Sequence, residues 1–157
     1  MFLKSISLFL ALIFIGCGFK GGEVYVPKSA APTQKKLKII IVNRLNPPWV
    51  IGKIGDKPVT VSSDIGNYIK AKFLKLIKKR VKAQIVVDIK KFWIQEFKSK
   101  IYGYAYVEVT YRFKNAIYVK KIEIKRLDSK DIEKMVQNML DEIVSIMKES
   151  YEMYFMQ

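Results

Sequence analysis

QIVVDIKKFWIQEFKSKIYGYAYVEVTYRFKNAIYVKKIEIKR, residues 84–126, decides the fold. It holds three β-rich runs separated by short polar breaks. The first, Gln84 to Phe97, alternates Ile85, Val87 and Ile89 against Val86, Asp88 and Lys90. The second, Ile101 to Phe113, sets Tyr102, Tyr104, Tyr106, Glu108, Thr110 and Arg112 on one face. Ile101, Ala105, Val107, Val109, Tyr111 and Phe113 fall on the other, because successive strand side chains point to opposite sides. Lys114-Asn115 is a tight-turn signal. The third run, Ile117 to about Arg126, directs Ile122 and Ile124 inward against Lys121, Glu123 and Lys125. Loops this short join antiparallel neighbours.

Upstream, Leu37-Lys38-Ile39-Ile40-Ile41-Val42 is a short β-branched run, broken by Asn46-Pro47-Pro48. Trp49 to Asp56 reads as irregular, and Pro58 to Val61 as a short strand leading into a helix. Ser62-Ser63-Asp64 supplies N-cap oxygens. Ile65, Tyr68, Ile69, Phe73, Leu76, Ile77 and Val81 then recur at helical spacing as one apolar face, with lysines over much of the rest. Downstream, Asp128-Ser129 reads as the cap of a second helix with an apolar stripe from Ile132 to Met147. The apolar tail, Tyr151 to Gln157, extends that helix or docks on the domain. The methionines of the stripe, Met135, Met139 and Met147, read as core.

The order strand, helix, three strands, helix predicts an α/β (α+β) two-layer sandwich, with a mixed sheet of about four strands and both helices on one face. A right-handed crossover sets the first strand parallel to a partner in the meander.

Composition narrows the function. The chain has 157 residues, no histidine, one cysteine and a formal charge of +15. The usual general base, metal ligand and nucleophile are therefore missing or spoken for, and an enzyme is not expected. No catalytic residue, metal site or cofactor is assigned. The strand acids Asp88, Glu96, Glu108 and Glu123 sit among lysines and read as solvated or ion-paired groups. Gly52-Lys53-Ile54-Gly55-Asp56-Lys57 lacks the spacing of a phosphate loop and reads as a turn. The charge favours acidic partners such as anionic lipid or glycolipid, although lysine enrichment also follows from genome composition or habitat.

The N-terminus sets an address. Lys4 precedes an apolar run from Ile6 to Ile15, then Gly16 and Cys17. That is a secretory signal peptide, and the run is roughly half the length of a membrane span of about 20 residues. Phe14-Ile15-Gly16-Cys17 resembles the lipobox of bacterial lipoproteins. The resemblance implies cleavage after Gly16, a diacylglyceryl group on the Cys17 thiol and acylation, commonly with palmitate, of the new amino group. The alternatives are a free thiol or an intermolecular disulfide at Cys17. The expected organisation is a signal peptide over 1–16, a lipidated cysteine and flexible tether over 17–36, and a single domain over 37–157. Extended, that tether reaches roughly 60 Å at about 3.3 Å per residue.

The layout of the domain is similar to YajG-type lipoproteins and to the auxiliary lipoproteins of ABC-type lipid transport systems. The likeness is carried by Ser62-Ser63-Asp64-Ile65 opening the helix, Phe92-Trp93 late in a strand, and Tyr102-Gly103-Tyr104-Ala105-Tyr106-Val107 in the next. It implies a non-enzymatic accessory or docking subunit in the cell envelope. Gly18 after the cysteine implies the periplasmic face of the outer membrane. An exported domain seldom meets nucleic acid, so none is expected as partner.

Two surfaces are candidates. Tyr102, Tyr104 and Tyr106, with Trp93 or Phe92 beside them, form a partner surface if the helices cover the opposite face; otherwise the row packs under the helices. Lys72, Lys75, Lys79 and Lys82 form an anionic-surface contact, or simply a solvated helix face. An apolar cleft between helix and sheet, rimmed by lysine, would instead make a carrier of lipid or glycan.

Overall fold

The computed structural model describes residues 22–28, 36–128 and 131–156. The elements in chain order are β1 (Glu23–Val24), β2 (Leu37–Asn43), β3 (Val50–Ile54), β4 (Lys57–Val61), α1 (Ile65–Leu76), β5 (Ala83–Phe97), β6 (Lys100–Phe113), β7 (Ala116–Asp128) and α2 (Ile132–Phe155). The protein is α+β, with a mixed sheet and two helices. Among the described residues the sheet has seven strands, rather than the roughly four expected.

The meander β5–β6–β7 is antiparallel throughout and forms the spine. β2 lies parallel to the first half of β5, from Leu37 opposite Ala83 to Asn43 opposite Ile89. On the same flank, β3 lies parallel to the second half, with Gly52 opposite Ile94. β4 and β1 continue outward from β3.

The three unexpected pairings have local causes. Gly52 in β3 lies so close to β5 that a methyl group there would overlap the Ile94 carbonyl oxygen and stand 2.7 Å from its carbon. A glycine read as a loop residue is thus what permits the strand. Pro58 lies in β4 opposite Lys53, near the strand's start. β1 lies within the stretch expected as tether. Val24 and Val26 there are buried. Ser62 Oγ accepts from Val26 N at 2.8 Å, and Ser63 Oγ donates to Val26 O at 2.7 Å. Residues 22–28 therefore belong to the domain. Signal peptide, Gly16 and Cys17 lie outside the described residues.

A β-bulge at Lys90 decides the faces of β5. Register shifts between Ile89 and Lys91, so the buried parity passes from Ile85, Val87 and Ile89 to Phe92 and Ile94. Two consecutive lysines cannot both avoid the core in a regular strand, and the extra residue lets both stay outside.

Both helices pack on one face. A Cβ at Gly66 of α1 would meet the Ile41 side chain, and one at Gly103 would meet the Met139 and Met135 sulfurs at 2.6 and 2.8 Å. Phe73, Met139, Met147 and Tyr151 fill the layer between helices and sheet, each fully buried. Burying side chains of that size stabilises the fold by about 1.5–3 kcal/mol each before entropy is counted.

The start of α1 is as expected, whereas its end and the start of α2 differ. Asp64 caps α1, its Oδ1 accepting from Gly66 N at 2.8 Å. The helix stops at Leu76, short of Val81, because Ile77 turns extended into the core and Arg80 donates to the Leu74 carbonyl at 3.0 Å. Asp131, rather than Asp128-Ser129, caps α2. Its tail both extends the helix and docks, with Tyr154 stacked on Tyr118 at 4.4 Å.

Candidate functional site

The side of the sheet away from the helices is crossed by no element among the described residues. β6 sends Tyr102, Tyr104 and Tyr106 to that side, since Ile101, Gly103, Ala105, Val107, Val109 and Tyr111 take the buried one. After the bulge, β5 sends Lys91, Trp93 and Gln95 to the same side. Trp93 stands directly opposite Tyr104, Gln95 opposite Tyr102 and Lys91 opposite Tyr106. Of the two aromatics read beside the row, Trp93 faces out and Phe92 is buried.

These four aromatics are half-buried and fixed by neighbours. Trp93 Nε1 donates to Gln95 Oε1 at 3.2 Å. The Lys91 ammonium lies 5.5 Å from the centre of the Tyr104 ring. Across on β7, Glu123 and Lys125 pair at 2.9 Å beside Tyr104. Partial desolvation and the Glu123 charge raise the Tyr104 phenol above its ordinary pKa. The Lys125 hydrogen bond lowers Glu123, and Glu123 raises Lys125. The row is thus bordered by charges that already have partners. Next to Trp93, an open concavity of about 500 Å³ is lined by Lys53, Gly55, Gln95, Glu96, Lys98 and Ser99.

Of the strand acids, Asp88 and Glu108 meet directly across β5 and β6. Arg44 stands 3.6 Å from Asp88 and Lys90 pairs with its other oxygen. Opposed carboxylates on a sheet repel, and these cations offset that repulsion.

The lysines of the first helix separate into two groups. Lys72 turns inward, where it pairs with Asp141 of α2 and donates to Tyr68 Oη at 3.1 Å. Gln137 donates to both Asp141 and Tyr68. Burial lowers the Lys72 pKa, but Asp141 and Tyr68 outweigh it and the net shift is upward. Lys72 therefore joins the helices and leaves the anionic-surface set. Lys75, Lys79 and Lys82 are exposed, the last two in the loop after α1. Buried Tyr151 pins that loop, its hydroxyl accepting from Val81 N at 3.1 Å and donating to Lys79 O at 3.2 Å.

Register adds cations that sequence spacing alone did not bring together. Lys38 and Arg112 both lie opposite Gln84, from different flanks of β5. Lys36 and Lys114 neighbour them in chain. The start of β2, the 78–82 loop and the β6–β7 hairpin therefore make one basic end.

No family model matches the chain, and no curated protein does. A solved structure described only as the crystal structure of an uncharacterized protein is similar over 83% of this chain and 99% of its own, with a TM-score of 0.53 and 9% identity. At that identity the likeness shows the fold alone.

Proposed function

We propose that this chain is a lipid-anchored, non-enzymatic envelope lipoprotein, held at Cys17 on the periplasmic face of the outer membrane, that acts as an accessory or docking subunit. The observation that carries the docking reading is the uncovered sheet face, where Trp93 lies opposite Tyr104 in a row with Tyr102 and Tyr106. Aromatic side chains offer large contact area with few rotatable bonds, and they are enriched where one protein binds another. The carrier reading needs an apolar cleft between helix and sheet. Phe73, Met139 and Tyr151 occupy that layer, each fully buried, and this weighs against it.

Two measurements in cells of the native host test the proposal. Metabolic labelling with a palmitate analogue should tag the wild-type chain and leave Cys17→Ser untagged. A photo-crosslinking residue at position 104 should capture one discrete envelope protein, and the same residue at Lys70 on α1 should not. Equal labelling of both chains would remove the anchor. Identical products from positions 104 and 70 would remove the docking face.

A further inference from the structure

The basic end of the sheet also carries apolar side chains. Six of the eleven large apolar residues exposed among the described residues lie there: Leu76, Ile117, Tyr118, Val119, Met153 and Met156. They come from the end of α1, the start of β7 and the end of α2. Ile117 is 64% exposed and stands directly opposite Arg112.

Among the described residues, no carboxylate lies within ion-pairing distance of Lys36, Lys38, Arg112 or Lys114, or of the loop cations Lys78, Lys79, Arg80 and Lys82. None of the ion pairs among the described residues involves any of these eight cations. Cations gathered from three segments repel one another, and the end is stabilised when an anionic surface meets it. Of the acids in the last turns of α2, Glu152 is taken by Lys148, and Glu149, which accepts from Ser145, is one carboxylate against eight cations.

We propose that this end of the domain docks on an anionic phospholipid bilayer. Nucleic acid and soluble polyanions would use the cations and leave exposed isoleucine, leucine and methionine with nothing to contact. A bilayer interface takes both, with head-group phosphates meeting the cations and the upper acyl region meeting the apolar side chains. The inference rests on this placement alone and does not require Cys17 to be acylated.

The test uses the chain from residue 17 carrying Cys17→Ser, so that neither the apolar run from Ile6 to Ile15 nor an acyl anchor contributes. It is mixed with vesicles of phosphatidylcholine alone or of equal parts phosphatidylcholine and phosphatidylglycerol. Binding is expected to the anionic vesicles only and to weaken with salt. Lys78→Glu, Lys79→Glu and Lys82→Glu together spare Arg80, which caps α1, and should weaken vesicle binding by at least about tenfold. Lys53→Glu, Lys98→Glu and Lys100→Glu make the same charge change at the far end and should leave most binding intact. Ile117→Ser with Leu76→Ser should weaken vesicle binding several-fold without altering retention on heparin. Circular dichroism confirms that each variant is folded; if the glutamate triple is not, the glutamine triple replaces it. Equal losses from the two charge triples would overturn the proposal in favour of net charge alone. Unchanged binding by the apolar variant would overturn it in favour of a soluble polyanion, and indifference to lipid charge would overturn it outright.

Discussion

Gly52→Ala is the sharpest probe of how the sheet is joined. β3 meets β5 only through Gly52 opposite Ile94 and Lys53 opposite Gln95, and β4 and β1 hang from β3. An added methyl overlaps the Ile94 carbonyl oxygen, which is backbone in the central strand and has no rotamer to escape by. The strands must part, losing ladder hydrogen bonds at about 1 kcal/mol each. Fully buried Ile51 and nearly buried Ile54 then loosen as well, which brings the expected loss to about 3–5 kcal/mol. Gly103→Ala is the control, since its methyl meets side-chain atoms rather than backbone, namely the Met139 and Met135 sulfurs and Ile94 Cδ1. That change should cost no more than about 1–2 kcal/mol, partly offset by the lower entropy of the unfolded alanine chain. Urea titration followed by tryptophan fluorescence gives both values, and amide exchange locates the opening in β3 and β4. Equal losses from the two substitutions, or a Gly52→Ala loss below about 1 kcal/mol, would refute the close-approach argument.

Tyr151→Phe keeps the ring but leaves Val81 N and Lys79 O without their partner; it should cost about 1–2 kcal/mol, lower the melting temperature by several degrees, and speed exchange of the Val81 amide. The Lys72–Asp141 pair predicts a pH dependence. The folded ammonium pKa is raised above the unfolded 10.5, so its stabilisation is full below 10.5 and is lost as pH climbs through the folded value. Asp141→Asn should therefore flatten that alkaline part of the stability curve, as read by urea midpoints across pH. Trp93→Ala with Tyr106→Ala should abolish the crosslink expected from position 104 while changing stability by less than about 1 kcal/mol, because both side chains are half-exposed.

The meander and both helix faces were legible because their apolar periodicity runs for many residues. So was the bulge in principle, since Lys90-Lys91 breaks the alternation that Ile85 to Ile89 establishes. The outer strands were hidden for a different reason. β1 pairs over two residues, and Gly52 marks a strand only once the Ile94 carbonyl is known to lie beside it. That the three tyrosines share a face followed from alternation, but which face the helices cover stayed open, and the pairing with Trp93 needed the bulge to be placed. Lys72 read as one more surface lysine because its partner, Asp141, is 69 residues away. The basic end was half visible for the same reason: Lys79 and Lys82 are close in sequence, whereas Lys38 and Arg112 meet only through Gln84.

The clasp of Val26 by Ser62 and Ser63 changes the mechanics of anchoring. A lipid on Cys17 would be separated from Gly22 by four residues, a reach of at most about 17 Å rather than roughly 60 Å. Gly22 joins Thr60 beside β3, which meets β5 some eleven residues beyond Ala83, or about 35 Å from the basic end. A domain touching one bilayer at both places cannot stand upright. Its long axis would incline by no more than about 30° from the membrane plane, resting on the flank that holds β1 and β2. The aromatic face would then look sideways along the membrane, towards neighbours embedded in or attached to the same bilayer.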